Sequence, residues 1–184
     1  MSDRGPGLWP ELLEVAVGVM RERLDRMRGI TRSHIPTVDE PLIVVIIDEL
    51  AALTGWVNDR AARKRIDSAL SLLLSQGRAA GVVMIGAVQD PRKDVIPQRD
   101  LFPVRIGLRM SEAEHVTLVL GNGARNRGAW CDLIPDTLPG VGYVVIDGIA
   151  EPVRVRFAFH TDTDLAQLGQ APAPELALVE DVAA

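Results

Sequence analysis

The feature that most limits what this chain can become is Leu42-Ile43-Val44-Val45-Ile46-Ile47-Asp48-Glu49, an unbroken apolar, mostly β-branched run that stops at two acids. A run without polar alternation suits a central parallel strand covered on both faces. A second such run, Val82-Val83-Met84-Ile85-Gly86-Ala87-Val88, follows Gly81. Between them, Ile66, Ala69, Leu70, Leu73 and Leu74 recur at helical spacing, which predicts a helix from near Asp59 to Gly77. Strand, helix and strand of this kind make a βαβ unit, whose crossover is expected to be right-handed.

Other segments fit around that unit. Leu12, Leu13, Ala16, Val19, Met20, Leu24 and Met27 predict an amphipathic helix from about Pro10 to Arg28, stopped by Gly29. The polar stretch from Thr31 to Glu40 contains Pro36 and reads as a connector, and Pro91 and Pro97 mark a later loop. Val104 to Leu108 is a short strand, and Ser111-Glu112-Ala113-Glu114 has the form of a capping box opening a helix to about Leu120. Tyr143 to Ile146 and Val153 to Phe159 flank Asp147-Gly148, a hairpin signal. The expected organisation is a flexible N-terminus over 1–8, one domain over 9–164, and an Ala/Pro-rich disordered tail over 165–184. No internal repeat is visible.

The formal charge of −5 comes from 25 acids against 20 bases, so contact with a nucleic acid must be local rather than driven by a global positive field. The bases are nearly all Arg, the lysines being Lys64 and Lys93. Cys131 is the one cysteine, so it forms no internal disulfide; it is expected to be a small, half-buried apolar residue, in keeping with a reducing cytoplasm. The longest apolar run is too short for a membrane span, and the N-terminus lacks the order of a signal peptide. His34, His115 and His160 lack metal-ligand spacing, and Trp9, Trp56 and Trp130 are dispersed residues expected to pack. Gly121-Asn122-Gly123 follows a helix and reads as a C-cap and turn.

Asp48 and Glu49 at a strand tip have the form of a Walker B pair, in which one carboxylate holds Mg²⁺ through water and the next orients and deprotonates the attacking water. The bland alternative is that they end a strand and begin a helix, where acids interact favourably with the dipole. Gln89, at the end of the next apolar strand, can place an amide beside a γ-phosphate or the attacking water. Its own bland alternative is an exposed strand-end residue.

In order along the chain stand a strand ending Asp48-Glu49, a helix, Gly77-Arg78-Ala79-Ala80-Gly81, and a strand ending Gln89-Asp90-Pro91. Arg105-Ile106-Gly107-Leu108-Arg109, Val119-Leu120-Gly121 and Gly140-Val141-Gly142-Tyr143 follow. This ordered set, from about Leu12 to Phe159, resembles the motor domain of the FtsK/SpoIIIE family, particularly the FtsK-like proteins of actinobacterial plasmids and integrative elements. The resemblance implies an α/β, RecA-like P-loop NTPase sheet, mostly parallel with helices on both faces, incomplete at its N-terminal side and carrying a late β-hairpin. It implies ATP and Mg²⁺ as cofactors, held at Asp48, Glu49 and Gln89, with Asp48 on the metal. It implies a ring, expected to be hexameric, that moves double-stranded DNA in chromosome segregation or conjugative plasmid transfer. Arg78 is the first candidate for the guanidinium that reaches a neighbour's γ-phosphate, with Arg105 and Arg109 behind it.

Two departures qualify the resemblance. Val88 and Asp90 flank Gln89 where the family usually has Thr and Arg. No lysine follows a glycine, as a G-x-x-x-x-G-K-[ST] loop requires, because Lys64 follows Arg63 and Lys93 follows Arg92. The chain is therefore expected to begin after that loop and, alone, to bind ATP weakly and hydrolyse it negligibly. Alternatives are a non-catalytic module that docks on an intact motor ring, a type VII secretion-like ATPase that moves protein, and a fragment left marginally stable by exposed apolar edges.

Overall fold

The computed structural model describes residues 8–54, 57–89, 91 and 96–170. The expected flexible start up to Gly7, Trp56, Asp90, Lys93 and the tail beyond residue 170 lie outside them. The chain forms two compact units, Met1–Pro103 and Val104–Ala184.

The first unit opens with α1 (Trp9–Met27), which has Pro10 in its first turn, where a missing N–H costs nothing, and ends before Gly29 at φ +76°. Leu13, Ala16, Val17 and Met20 of α1 pack against Ile66, Ala69, Leu70 and Leu73 of α3 (Arg60–Gln76). The start of α3 is set by Asp59, whose Oδ1 accepts from the Ala61 N–H at 2.8 Å. β1 (Ile43–Ile47) runs parallel to β2 (Val82–Gly86), in a register that pairs Ile43 with Val82 and Ile47 with Gly86. A short helix, α2 (Leu50–Thr54), leaves the tip of β1.

One face of the strand pair, formed by Ile43, Val45, Ile47, Val82 and Met84, joins the α1/α3 core. The opposite side chains remain open, with Val44 at 45%, Ile46 at 72% and Ile85 at 55% exposure. The expectation that the apolar run is covered on both faces is thus met on one. The β-branched character of Val44 and Ile46 satisfies the strand backbone irrespective of cover, and a sequence run does not distinguish the two cases.

The second unit is a three-stranded antiparallel sheet of order β3-β4-β5, with β3 Val104–Gly107, β4 Val141–Ile146 and β5 Val153–Arg156. The described ladders are therefore mixed, one parallel and two antiparallel, rather than mostly parallel. Val141, Tyr143 and Val145 point into a core with Val116 and Leu120 of α4 (Ala113–Leu120) and with Cys131, which is fully buried. A Cβ on Gly142 would lie 2.6 Å from the Gly107 carbonyl oxygen, so only glycine permits this close pairing of β3 and β4. Asp147 and Gly148 lie inside a turn closed by Ile149 N–H donating to Ile146 O at 3.0 Å, and β5 pairs further along than a two-residue hairpin would allow.

Three local expectations are corrected. The Ser111 capping box does not form: α4 begins at Ala113 with extended Glu112 as its cap, so Glu114 falls at the second helical position instead of the third. A reciprocal box forms instead at the chain's other end. Thr161 N–H donates to Asp164 Oδ2 at 2.7 Å and Asp164 N–H donates to Thr161 Oγ1 at 3.2 Å. It closes α5 (Asp162–Gln170), so residues 165–170 are helical where disorder was expected. Trp130 is 52% exposed rather than packed. No described helix is long and apolar enough to cross a membrane.

Candidate functional site

The tips of the parallel pair are tied together by their own backbone. Ala87 N–H donates to Ile47 O at 2.9 Å, and Leu50 N–H donates to Ala87 O at 2.9 Å. The chain beyond β1 is thereby turned into α2, whose Leu50 and Ala51 are buried. Gly86 allows this, because a Cβ there would stand 2.5 Å from Leu50 Cδ1.

Glu49 sits at that junction with both carboxylate oxygens engaged. Oε1 accepts from the Ala51 N–H at 3.0 Å and Oε2 accepts from the Gln89 N–H at 3.2 Å. Asp48 and Gln89 are exposed, and neither side chain has a hydrogen bond or ion pair among the described residues. The structure therefore brings Asp48, Glu49 and Gln89 to one edge, the carboxyl ends of two parallel strands, where α/β sheets characteristically present ligand sites. Glu49 also bonds to the first turn of α2, the contact that the helix-start alternative expects.

Arg78 lies on a tight 3-10 turn, Gly77–Ala80, that joins α3 to β2. Gly77 is required by the approach of the Val82 carbonyl oxygen, which would stand 2.5 Å from a Cβ. Gly81 closes the turn at φ +68°. Two residues that sequence reasoning missed fasten it. Arg23, 5% exposed, donates from Nη1 to Ala80 O at 3.0 Å and from Nη2 to Pro41 O at 2.8 Å. His34 N–H donates to Ala79 O at 2.8 Å. Arg23 carried a readable signal, because it continues the buried stripe Leu13, Ala16, Met20 on α1; nothing local to His34 announced its role.

Held this way, Arg78 is exposed and its side chain has no hydrogen bond or ion pair among the described residues. The other two candidate arginines belong to the second unit and are engaged there. Arg109 pairs with Asp136. Arg105 lies against Gly121, where a Cβ would stand 2.9 Å from its Nη1.

Among the described residues no group of three or more His, Cys, Asp or Glu side chains could hold a metal ion. Asp48 and Glu49 offer hard carboxylate oxygens suited to Mg²⁺, which commonly takes one or two carboxylates and completes its shell with water and phosphate. The donor set fits that role.

No protein-family model matches the chain. Solved structures do: the conjugation coupling protein TcpA, in its monomer form with ATPγS, superposes with a TM-score of 0.65 at 26% identity, over 83% of this chain and 44% of that one. The cytoplasmic domain of the type VII secretion ATPase EccC from Thermomonospora curvata has a TM-score of 0.55 at 22% identity, over 87% and 20%, a likeness of fold alone. The fold is thus that of a RecA-like P-loop ATPase motor domain, represented in part. DNA translocase FtsK of Lactococcus lactis subsp. cremoris is 36% identical over 130 residues, 68% of this chain and 15% of that protein. DNA translocase FtsK 1 of Neisseria meningitidis serogroup B is 33% identical over 146 residues, 72% and 16%. The chain belongs to the FtsK/SpoIIIE family and spans about 15% of the length of the curated relatives it matches.

Proposed function

We propose that this chain is part of the motor of an ATP-driven double-stranded DNA translocase, acting in the cytoplasm within a ring of like subunits, expected to be a hexamer. The observation that carries the reading is the contact of Glu49 Oε2 with the Gln89 backbone N–H, which brings the carboxylate and the strand-end residue to one edge of the sheet. In this reading Asp48 holds Mg²⁺ through water. Glu49 orients and deprotonates the attacking water, Gln89 senses the γ-phosphate, and Arg78 reaches a neighbour's nucleotide from its fastened turn. The bound nucleotide supplies the phosphoryl group to be cleaved. The chain's own part is to position water and receive its proton.

With no glycine-lysine phosphate loop in the sequence, the chain by itself binds ATP weakly and turns it over negligibly. The test joins it to the phosphate-loop half of a DNA translocase relative and measures DNA-stimulated hydrolysis. Glu49→Gln is expected to lower turnover by on the order of 10² to 10⁴ while sparing ATP binding, and Arg78→Ala by on the order of 10³ to 10⁵. Turnover unchanged in both variants overturns the reading.

A second reading, a non-catalytic module that docks on an intact ring, is favoured by the open sheet face at Val44, Ile46 and Ile85. Under it, the joined protein gains no activity over the phosphate-loop half alone, and the isolated chain still binds the assembled ring.

A further inference from the structure

The first two turns of α3 gather four cations, Arg60, Arg63, Lys64 and Arg65, against one acid, Asp67. Arg60, Arg63 and Lys64 line a groove of about 560 Å³ at the start of α3, together with Val57, Asn58 and Asp67. Lys64 also lines a second groove of about 540 Å³ between the two helices, where Arg21 stands. The shared lysine makes the two grooves one strip.

Four acids nearby already have partners. Asp59 Oδ1 accepts from the Ala61 N–H at 2.8 Å. Glu14 and Glu11 hold Arg65 at 2.6 and 2.9 Å. Asp67 Oδ1 accepts from Gln98 Nε2 at 3.2 Å. The side chains of Arg21, Arg60, Arg63 and Lys64 have neither hydrogen bonds nor ion pairs among the described residues. Three of them crowd the start of α3, where the dipole disfavours cations and the capping Asp59 is the one acid. In a chain of net charge −5, such an arrangement lowers stability in the free protein and is relieved by an anion.

We infer that this strip binds the sugar-phosphate backbone of double-stranded DNA, an inference that rests on the translocase reading and assigns to named residues a contact that reading leaves unplaced. A single phosphate would occupy one groove and leave the other cations unmatched, whereas a duplex presents phosphates in series along both. Guanidinium forks bond phosphate oxygens bidentately, and open grooves admit a backbone without base readout. Binding is accordingly indifferent to sequence and steep in salt.

The test measures the anisotropy of a labelled duplex of about 30 base pairs titrated with the whole chain, without nucleotide, between about 50 and 200 mM salt. If each of the four cations neutralises one phosphate, the slope of log affinity against log salt approaches about −3.6. The triple variant Arg60→Gln/Arg63→Gln/Lys64→Gln should flatten that slope by about 2.7, and Arg60→Gln alone, which disturbs the fold least, by about 0.9. Arg28→Gln, which breaks an exposed pair with Asp25 outside both grooves, should leave the slope unchanged. Absence of duplex binding at the lowest salt overturns the inference. So does an unchanged slope in the folded variants, and so does poly-glutamate binding as tightly as duplex, which would assign the strip to an acidic protein surface. None of these outcomes touches the nucleotide chemistry, which the hydrolysis measurement tests separately.

Discussion

The Glu49 carboxylate spans the tips of two parallel strands, with Oε2 on the Gln89 N–H and Oε1 on the Ala51 N–H. One side chain therefore caps α2 and ties the turn after β1 to the residue that would sense a nucleotide. If Glu49 must turn toward a water to act, it has to release the Gln89 backbone, so the two positions are mechanically linked.

That linkage is measurable in the isolated chain by amide hydrogen exchange. A hydrogen bond to a charged group contributes about 1.5–3 kcal/mol, so Glu49→Ala should speed exchange at Gln89 and Ala51 by roughly tenfold or more. Amides on α3, such as that of Leu70, should be unaffected. Exchange at Gln89 unchanged by the substitution would show that the contact does not persist in solution.

A second expectation concerns the turn that carries Arg78. Gly81 stands at φ +68°, and a Cβ there would meet His34 Cδ2 at 2.3 Å. Gly81→Ala combines a left-handed conformation, costing about 1–2 kcal/mol for a residue with a side chain, with a clash against the buried His34 ring; a fall of about 2 kcal/mol or more in urea unfolding is expected. Gly18, inside α1, has open space around it. Gly18→Ala should stabilise by about 0.5–1 kcal/mol. Equal effects at the two glycines would contradict this account of the turn.

The βαβ unit was legible because its signals are local: β-branched runs for β1 and β2, helical periodicity for α3, and glycines at both ends of the Arg78 turn. The adjacency of Glu49 and Gln89 followed from two strands lying side by side in parallel. What could not be read was which face of a run is covered, as the exposure of Ile46 shows, because apolar residues record strand propensity as well as burial. Capping boxes were misplaced for a related reason. Ser111-Glu112-Ala113-Glu114 and Thr161-Asp162-Thr163-Asp164 both offer the four-residue pattern, and only the start of each helix decides which one closes. The fastening of the turn by Arg23 and His34 rests on long-range contacts to backbone carbonyls that no local pattern encodes.

Cys131 supplies the last prediction. It is fully buried, its Sγ–H donates to Gly107 O at 3.4 Å, and burial with the nearby Asp132 charge pushes the thiol up to about 11. An unfolded cysteine ionises near 8.5. The folded state therefore holds its proton where the unfolded chain has lost it, and the stability this contributes is present below about pH 8.5 and declines as the pH rises toward 11. Two measurements check this. Alkylation by iodoacetamide at pH 8 should be slow in the native chain and rapid in urea. Thermal midpoints should fall between about pH 8.5 and 11, and fall less in Cys131→Ala, which has no thiol to ionise. Rapid native alkylation at pH 8, or an identical alkaline decline in the alanine variant, would remove Cys131 from the core of the second unit.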